Sequence, residues 1–383
     1  MVDNSKLFEK YTFNNNVEAP GLLTVAPLTL FGSKPDGTIN EEEKEFFKMR
    51  ATNVGLYILG ACCTSLEGIT FANQPRAFDD KDIPSNVERA KIVKAQGALA
   101  INQIHHGGCL ALKKLSGVPV RAVSADFYNK ELEKKGELND ETKTIDFTDE
   151  EIKRIINDFA KATEVSIKSG FDGIEIHGAN NFLIQQFYSG YYNKRKDEWG
   201  GSLEKRMKFP LEVVDACCKV RDKYNKPEFI IGYRLSPEEP FEDGITMTET
   251  LALVRALVKK PLQYIHISQK QFFQEVRRGE GVGIPRLKVI HDETKGKMAL
   301  IGVGGLLTDK DFNKALNTGY VEFVGAGTAF MLNKNLGILL KEGKGDKIEV
   351  EFDGDHPENY AIPKILWDMV LGGGGFLAPI KKK

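Results

Sequence analysis

Eight short apolar runs, each followed by a segment of helical character, constrain this chain more than any other feature. The runs are Leu22–Leu28, Leu56–Ala61, Leu99–Ile104, Gly173–His177, Phe229–Leu235, Tyr264–Ser268, Met298–Val303 and Val321–Gly325. Strands alternating with helices imply parallel βαβ units. Eight such units match a closed barrel, although the count alone leaves a doubly wound sheet open. The first strand lacks the Gly-x-Gly-x-x-Gly of a dinucleotide-binding sheet. The expectation is an α/β protein forming a single (β/α)8 TIM barrel over residues 1–383. Its core covers about residues 20–340, after an N-terminal cap and before a C-terminal tail, 341–383, packed on the barrel.

The chain is longer than a typical domain, but a barrel of ~250 residues with insertions accommodates it as one unit. Lysine plus arginine total 53 against 54 acidic residues, so neither nucleic acid nor an acidic membrane is an expected partner. No apolar stretch approaches the ~18 residues of a membrane span. The polar start, Met1 to Lys6, lacks a signal-peptide core. Cys62, Cys63, Cys109, Cys217 and Cys218 include two adjacent pairs and no C-x-x-C. That usage suits reduced thiols in the cytoplasm rather than disulfides or zinc. A homo-oligomer remains open.

Thr148-Asp-Glu-Glu151 reads as a capping box, ahead of Ile152, Ile155, Ile156 and Phe159 at helical spacing. Thr308-Asp-Lys-Asp311 opens another helix, and Leu203–Tyr224 is a third. A long charged insertion separates the third strand from its helix, between Gly107 and Phe147. It falls on the active-site face, where it is expected to cover the mouth. The tail carries Pro363–Val370 with Trp367, then glycines 372–375, and ends in lysines 381–383.

Chemistry in such a barrel sits at the C-terminal ends of the strands. Those ends read Ala26-Pro27-Leu28-Thr29, Ala61, Gln103, His177 with Asn180, Arg234, Ser268, Gly304-Gly305 and Gly325 to Thr328. They contain no carboxylate pair for glycoside hydrolysis. They form no metal constellation either, since adjacent His105 and His106 point to opposite sides of an extended strand. Amides, hydroxyls, an imidazole and a guanidinium suit a planar polar ring, which favours an organic cofactor. The last two ends are glycine-rich and suit an anion, so a phosphorylated cofactor is expected.

Five segments together resemble the Old Yellow Enzyme family of FMN-dependent oxidoreductases, over residues 5–340. They are Val25–Thr29, Ile101–Gly108, Gly170–Gln186, Asp197–Arg206 and Ile231–Arg234. The His-Gly-Ala-Asn run is most similar to the bacterial NADH-dependent flavin oxidoreductases of that family. The resemblance implies tightly but non-covalently bound FMN, NAD(P)H as reductant, and an electron-poor acceptor such as a quinone, nitro compound, free flavin or activated alkene. Carried over by position, Ala26, Pro27 and Ala61 line the isoalloxazine, Thr29 bonds its O4 edge and Gln103 its pyrimidine edge. Arg234 stands near N1 and O2, and Gly304, Gly305, Gly327 and Thr328 hold the phosphate. His177 and Asn180 clamp the acceptor oxygen, with Phe182 and Phe31 walling the same side. His177, Asn180 and Thr29 form the catalytic set, and no metal is implied.

Two letters depart from the family pattern. Phe182 replaces the usual tyrosine, and a phenyl ring has no proton to give the acceptor carbon. Water or Tyr188, Tyr191 or Tyr192 could supply it, the acceptor could need no carbon protonation, or the enzyme could be weak. In each case alkene reduction loses its usual donor. Thr328 replaces an arginine on the phosphate, with Lys334 a candidate to compensate. Gly279-Glu-Gly-Val-Gly283 suggests a flap over the mouth, with Arg277 and Arg278 placed for nicotinamide cofactor phosphates. Two rival readings stay open. One is a flavin-binding or degenerate non-catalytic barrel. The other is a lyase of a phosphorylated substrate with Lys270 as Schiff base.

Overall fold

A computed structural model of the chain describes residues 2–373 and 378–381. Gly374, Gly375, Lys382 and Lys383, counted in the tail by the sequence, lie outside the described residues. Eight parallel strands close into a barrel: β1 (Leu23–Val25), β2 (Leu56–Cys63), β3 (Leu99–His105), β4 (Gly173–Gly178), β5 (Ile230–Leu235), β6 (Tyr264–Ile267), β7 (Ala299–Val303) and β8 (Phe323–Ala326). Each strand pairs with its chain neighbours, and β8 closes on β1. The closure excludes the doubly wound sheet. Every residue of β4 to β8 is buried, which is why these strands read as largely apolar runs with few polar letters.

The helices that follow are α1 (Glu41–Phe47), α2 (Ile83–Lys94), α3 (Asp149–Lys168), α4 (Leu203–Lys223), α5 (Met247–Leu257), α6 (Arg286–Thr294), α7 (Asp309–Leu316) and α8 (Leu336–Lys341). At α3, Thr148 Oγ1 accepts from the Glu151 N–H and Glu151 accepts from the Thr148 N–H, closing the capping box. The face of Ile152, Ile155, Ile156 and Phe159 is buried. Thr308 with Asp311 does the same at α7, as does Thr246 with Glu249 at α5. Strand β2 runs past Ala61 to Cys63 because its register shifts between Leu59 and Cys62 and then rejoins β3. Such a bulge at a barrel rim re-aims the backbone. The Ala61 carbonyl accepts from Gln74 Nε2 at 2.9 Å.

The two ends of the barrel are finished differently. At the N-terminal end, a hairpin of Tyr11–Thr12 and Glu18–Ala19 plugs the bore. Phe13 stacks on Phe323 with ring centroids 5.5 Å apart, and Asn14 Nδ2 donates to the Leu262 carbonyl at 2.8 Å. At the other end the tail folds back. Phe352, Tyr360 and Trp367 form one ring cluster, and buried Arg50 donates to the carbonyls of Phe330, Phe46 and Tyr360. The insertion after β3 holds two short paired strands, Val120–Ala122 and Thr144–Asp146, and a helix, Ala125–Lys135. It stands beside the mouth rather than over it. Cys109, Ala122 and Ala125 make a small core with Tyr192, which docks the insertion on the loop after β4. Among the described residues, no helix is long and apolar enough to cross a membrane.

Candidate active site

The C-terminal ends of the strands surround a cavity of about 850 Å³. Ala26, Pro27, Thr29, Phe31, Arg234, Gly304, Gly305, Gly327 and Thr328 all line it, bringing the ends of β1, β5, β7 and β8 together. No acidic side chain lines it among the described residues, and its cations are Arg234 and Lys270. Leu366, Met369, Ala378 and Pro379 form one wall, so the tail builds the site as well as packing on the barrel. None of residues 107–147 lines it.

The β7–β8 end is made of backbone. Gly304 and Gly305 have φ of +126° and +66°, which side chains rarely adopt. A Cβ on Gly304 would lie 2.7 Å from the Gln271 backbone. Thr328 starts a short helix, Thr328–Leu332. Lys334 follows that helix and does not line the cavity, so it is no substitute for a phosphate arginine there.

The barrel floor beneath the cavity is polar. Register places His177, Arg234 and His266 side by side on β4, β5 and β6, and Gln103 beside Glu175 on β3 and β4. Gln103 Nε2 donates to Glu175 Oε1 at 2.7 Å, and His266 Nδ1 lies 2.8 Å from Glu175 Oε2. All three are buried. Burial opposes a charge on Glu175, but His266, the nearby Arg234 and Gln103 hold its pKa below the usual carboxylate range. Burial also keeps His266 below its usual value, so a neutral imidazole donates Nδ1–H to a carboxylate. Buried Arg234 Nε and His266 Nε2 have no partner. The pair Glu175–His266 was missed in the sequence. Each is a lone polar letter between isoleucines, and that is the signal that could have found it.

Beside Phe31 the wall becomes aromatic. Phe31 packs edge-on against Phe71, Phe71 against Phe182, and Phe182 against both His105 and His177, at centroid distances of 4.3–5.9 Å. Phe71 was not among the expected wall residues. Burial lowers His177 well below its usual pKa, helped by neighbouring His105 and Arg234, so its ring is neutral. Its Nδ1 accepts from the Ala179 N–H at 3.4 Å, which leaves the proton on Nε2. Asn180 and Asn181 both adopt left-handed backbone, φ +58° and +62°, which asparagine tolerates. Asn180 Oδ1 accepts from Ser268 Oγ at 2.6 Å, leaving its NH2 as the donating end. Ala61, Gln103, His177, Asn180 and Phe182 are not among the residues that line the cavity. A Cβ on neighbouring Gly60 would meet Pro27 at 2.7 Å and Gln103 Oε1 at 3.1 Å.

Several possibilities that the sequence left open are closed here. Tyr188 OH donates to the Glu249 carbonyl, Tyr191 OH bonds Glu131 at 3.2 Å, and Tyr192 packs with Tyr191 and Phe241. None is aimed at His177, because each serves the packing of the post-β4 loop. The glycine-rich loop 279–283 lies against α5, where the Glu280 N–H donates to Thr248 Oγ1 and the Glu280 side chain pairs with Arg255. It is not over the mouth. Arg278 is consumed by the carbonyls of Glu239, Glu242 and Gly244, and Arg277 reaches the Glu239 carbonyl. Glu238 pairs with Arg286, and Glu239 accepts from Gln185 and Ser189.

A profile of the NADH:flavin oxidoreductase / NADH oxidase family matches residues 6–347. The chain is 38% identical to the "Probable NADH-dependent flavin oxidoreductase YqiG" of Bacillus subtilis, over 97% of each chain. It is 31% identical to an NADH:fumarate oxidoreductase of Klebsiella pneumoniae and to an NADH:acrylate oxidoreductase of Vibrio harveyi. It spans 39% and 36% of their lengths, and 97% and 96% of its own residues are covered. The Old Yellow Enzyme homologue from Zymomonas mobilis shares the fold, with a TM-score of 0.76 over 94% of this chain and 99% of that one, at 22% identity. The chain belongs to the NADH:flavin oxidoreductase / NADH oxidase family, and it is an FMN-linked oxidoreductase.

Proposed function

We propose that hydride passes from NADH, through FMN seated in the strand-end cavity, to a planar electron-poor acceptor held against the aromatic wall. The carrying observation is the cavity itself: about 850 Å³, two cations, no carboxylate among the described residues, a glycine cradle at the β7–β8 end and Arg234 on the β5 side. This donor set fits FMN. The glycine backbone of 304, 305 and 327, with the Thr328 hydroxyl, suits its phosphate. Arg234, whose Nε lacks a partner, suits the pyrimidine edge where reduction develops negative charge. Gln103 is oriented toward the same edge by Glu175, and Ala26, Pro27 and Ala61 offer an apolar bed beside the Thr29 hydroxyl.

FMN, when bound, accepts a hydride from the nicotinamide and yields it to a second molecule. His177 Nε2–H and the Asn180 amide hold the acceptor oxygen, drawing electrons from the atom that receives the hydride. Both donors are neutral, so neither needs to be protonated in the working pH range. Phe31, Phe71 and Phe182 exclude water and select a flat partner. Phe182 supplies no proton, and the nearby tyrosines face elsewhere. The acceptors this site suits are those whose new protons go to oxygen or nitrogen and exchange with solvent: quinones, nitro compounds and free flavins.

Purified protein should be yellow, lose its colour with NADH under anaerobic conditions, and regain it on adding a quinone. FMN-loaded protein that NADH does not bleach would rule the reading out.

A further inference from the structure

We propose that Lys270 is the cation of the cofactor phosphate site, standing in for the arginine that Thr328 replaces. The cavity has two cationic side chains and no acidic one among the described residues. Arg234 is buried on β5, level with His177 and His266, and two strands from the glycine cradle on β7. Lys270 comes three residues after β6, in a segment that packs directly on that cradle. The Phe272 N–H donates to the Gly304 carbonyl at 2.9 Å. A Cβ on Gly304 would collide with the Gln271 backbone at 2.7 Å, and one on Gly305 would lie 3.7 Å from the Lys270 carbonyl. Gln269 Nε2 donates to the Phe272 carbonyl at 3.0 Å, tying the turn together.

The ammonium of Lys270 has no hydrogen bond or ion pair with any described residue, although most lysines of the chain do. A lysine paired with a carboxylate would be a solvated surface charge. An unpaired one on the wall of an acid-free cavity, beside a glycine cradle, has the chemistry of an anion site. Thr328, which lines the same cavity, adds a neutral hydroxyl. The lysine is a point charge on a flexible stem, so it can reach a phosphate without the fixed fork of an arginine.

The assignment rests on the FMN reading, and one experiment separates the two. Full-length apoprotein is titrated with FMN and with riboflavin, which lacks the phosphate, by quenching of flavin fluorescence. The wild type should prefer FMN. Lys270→Met should lower FMN affinity about tenfold at low salt and leave riboflavin affinity within about twofold. Lys270→Arg should keep the preference. Added salt should weaken FMN binding more in the wild type than in Lys270→Met. The assignment is overturned if Lys270→Met binds FMN as the wild type does, if it loses both flavins equally, or if the wild type does not distinguish them. A wild type that binds neither flavin overturns the FMN reading itself.

Discussion

The two halves of the cavity are built from different parts of the polypeptide. On the β3–β6 side Arg234 lines the cavity, and Gln103, Glu175, His177 and His266 form a network of side chains around it, with rings packed beyond them. The β7–β8 half is largely backbone: Gly304 and Gly305 have positive φ, and a Cβ on Gly304 would also meet the Gln271 backbone at 2.7 Å. A side-chain half can change one letter and keep its shape, as Phe182 does, because a phenyl and a phenol occupy nearly the same space. The backbone half has less freedom, since an added carbon at Gly304 would press on the Gln271 backbone. Acceptor chemistry is therefore more adjustable in this fold than the anion cradle.

The largest effect expected from the side-chain half is that of its oxygen clamp. His177→Ala should slow acceptor reduction by ~10²–10³-fold, as loss of one preorganised donor does elsewhere. Stopped-flow reoxidation of the reduced protein by quinone measures it. A loss below about tenfold would mean that the clamp lies elsewhere.

Phe182→Tyr sharpens the same half in the opposite direction. Enone reduction should rise by ~10²-fold if proton supply limits it, with quinone reduction nearly unchanged. If both rates move together, Phe182 acts by shape rather than by its missing proton.

For the backbone half, Gly304→Ala should cost ~1–3 kcal/mol of folding stability through its positive φ and the contact with Gln271. Urea denaturation reads this directly. A neutral result would break the contrast between the halves.

Two smaller effects concern the buried polar floor. Burial pushes the pKa of His105 down to about 3 and of His106 to about 4. An unfolded chain therefore takes up protons at both positions as pH falls below ~6.5, while the folded chain does not. Stability should be fully present above ~6.5 and decline toward pH 4 by ~1.4 kcal/mol per pH unit for each such imidazole. Denaturant midpoints at a series of pH values test the slope, and midpoints that stay level would contradict it. Glu175→Gln removes a negative charge from beside Arg234 and should raise the flavin midpoint potential, by roughly 30 mV. A fall in potential would show that Glu175 acts through the position of Gln103 rather than through its charge.

Much of the architecture was readable because a parallel barrel buries both faces of its strands. Each strand then appears as a run of apolar letters, and the reactive letters follow where the run stops. The helix starts at Thr148 and Thr308 were equally legible, since a capping box is a local hydrogen-bond pattern. Phe71 was not, because it lies on a loop with no periodicity. The aim of Tyr188, Tyr191 and Tyr192 was also hidden: proximity in sequence to Asn180 says nothing about direction after a turn. The loop 279–283 looked like a lid because its glycines suggest freedom, but its contacts with Thr248 and Arg255 depend on a helix some thirty residues earlier.

The sequence by itself determined the barrel, the family and the strand ends that carry polar groups, because all three depend on local pattern. Only the tertiary structure decided which of those groups meet. It enclosed the cavity with the tail, paired Glu175 with His266 across the barrel, turned the tyrosines away and left Lys270 unpaired beside the glycines. Those outcomes depend on contacts between residues far apart in the chain, where distance and direction come from packing the whole barrel.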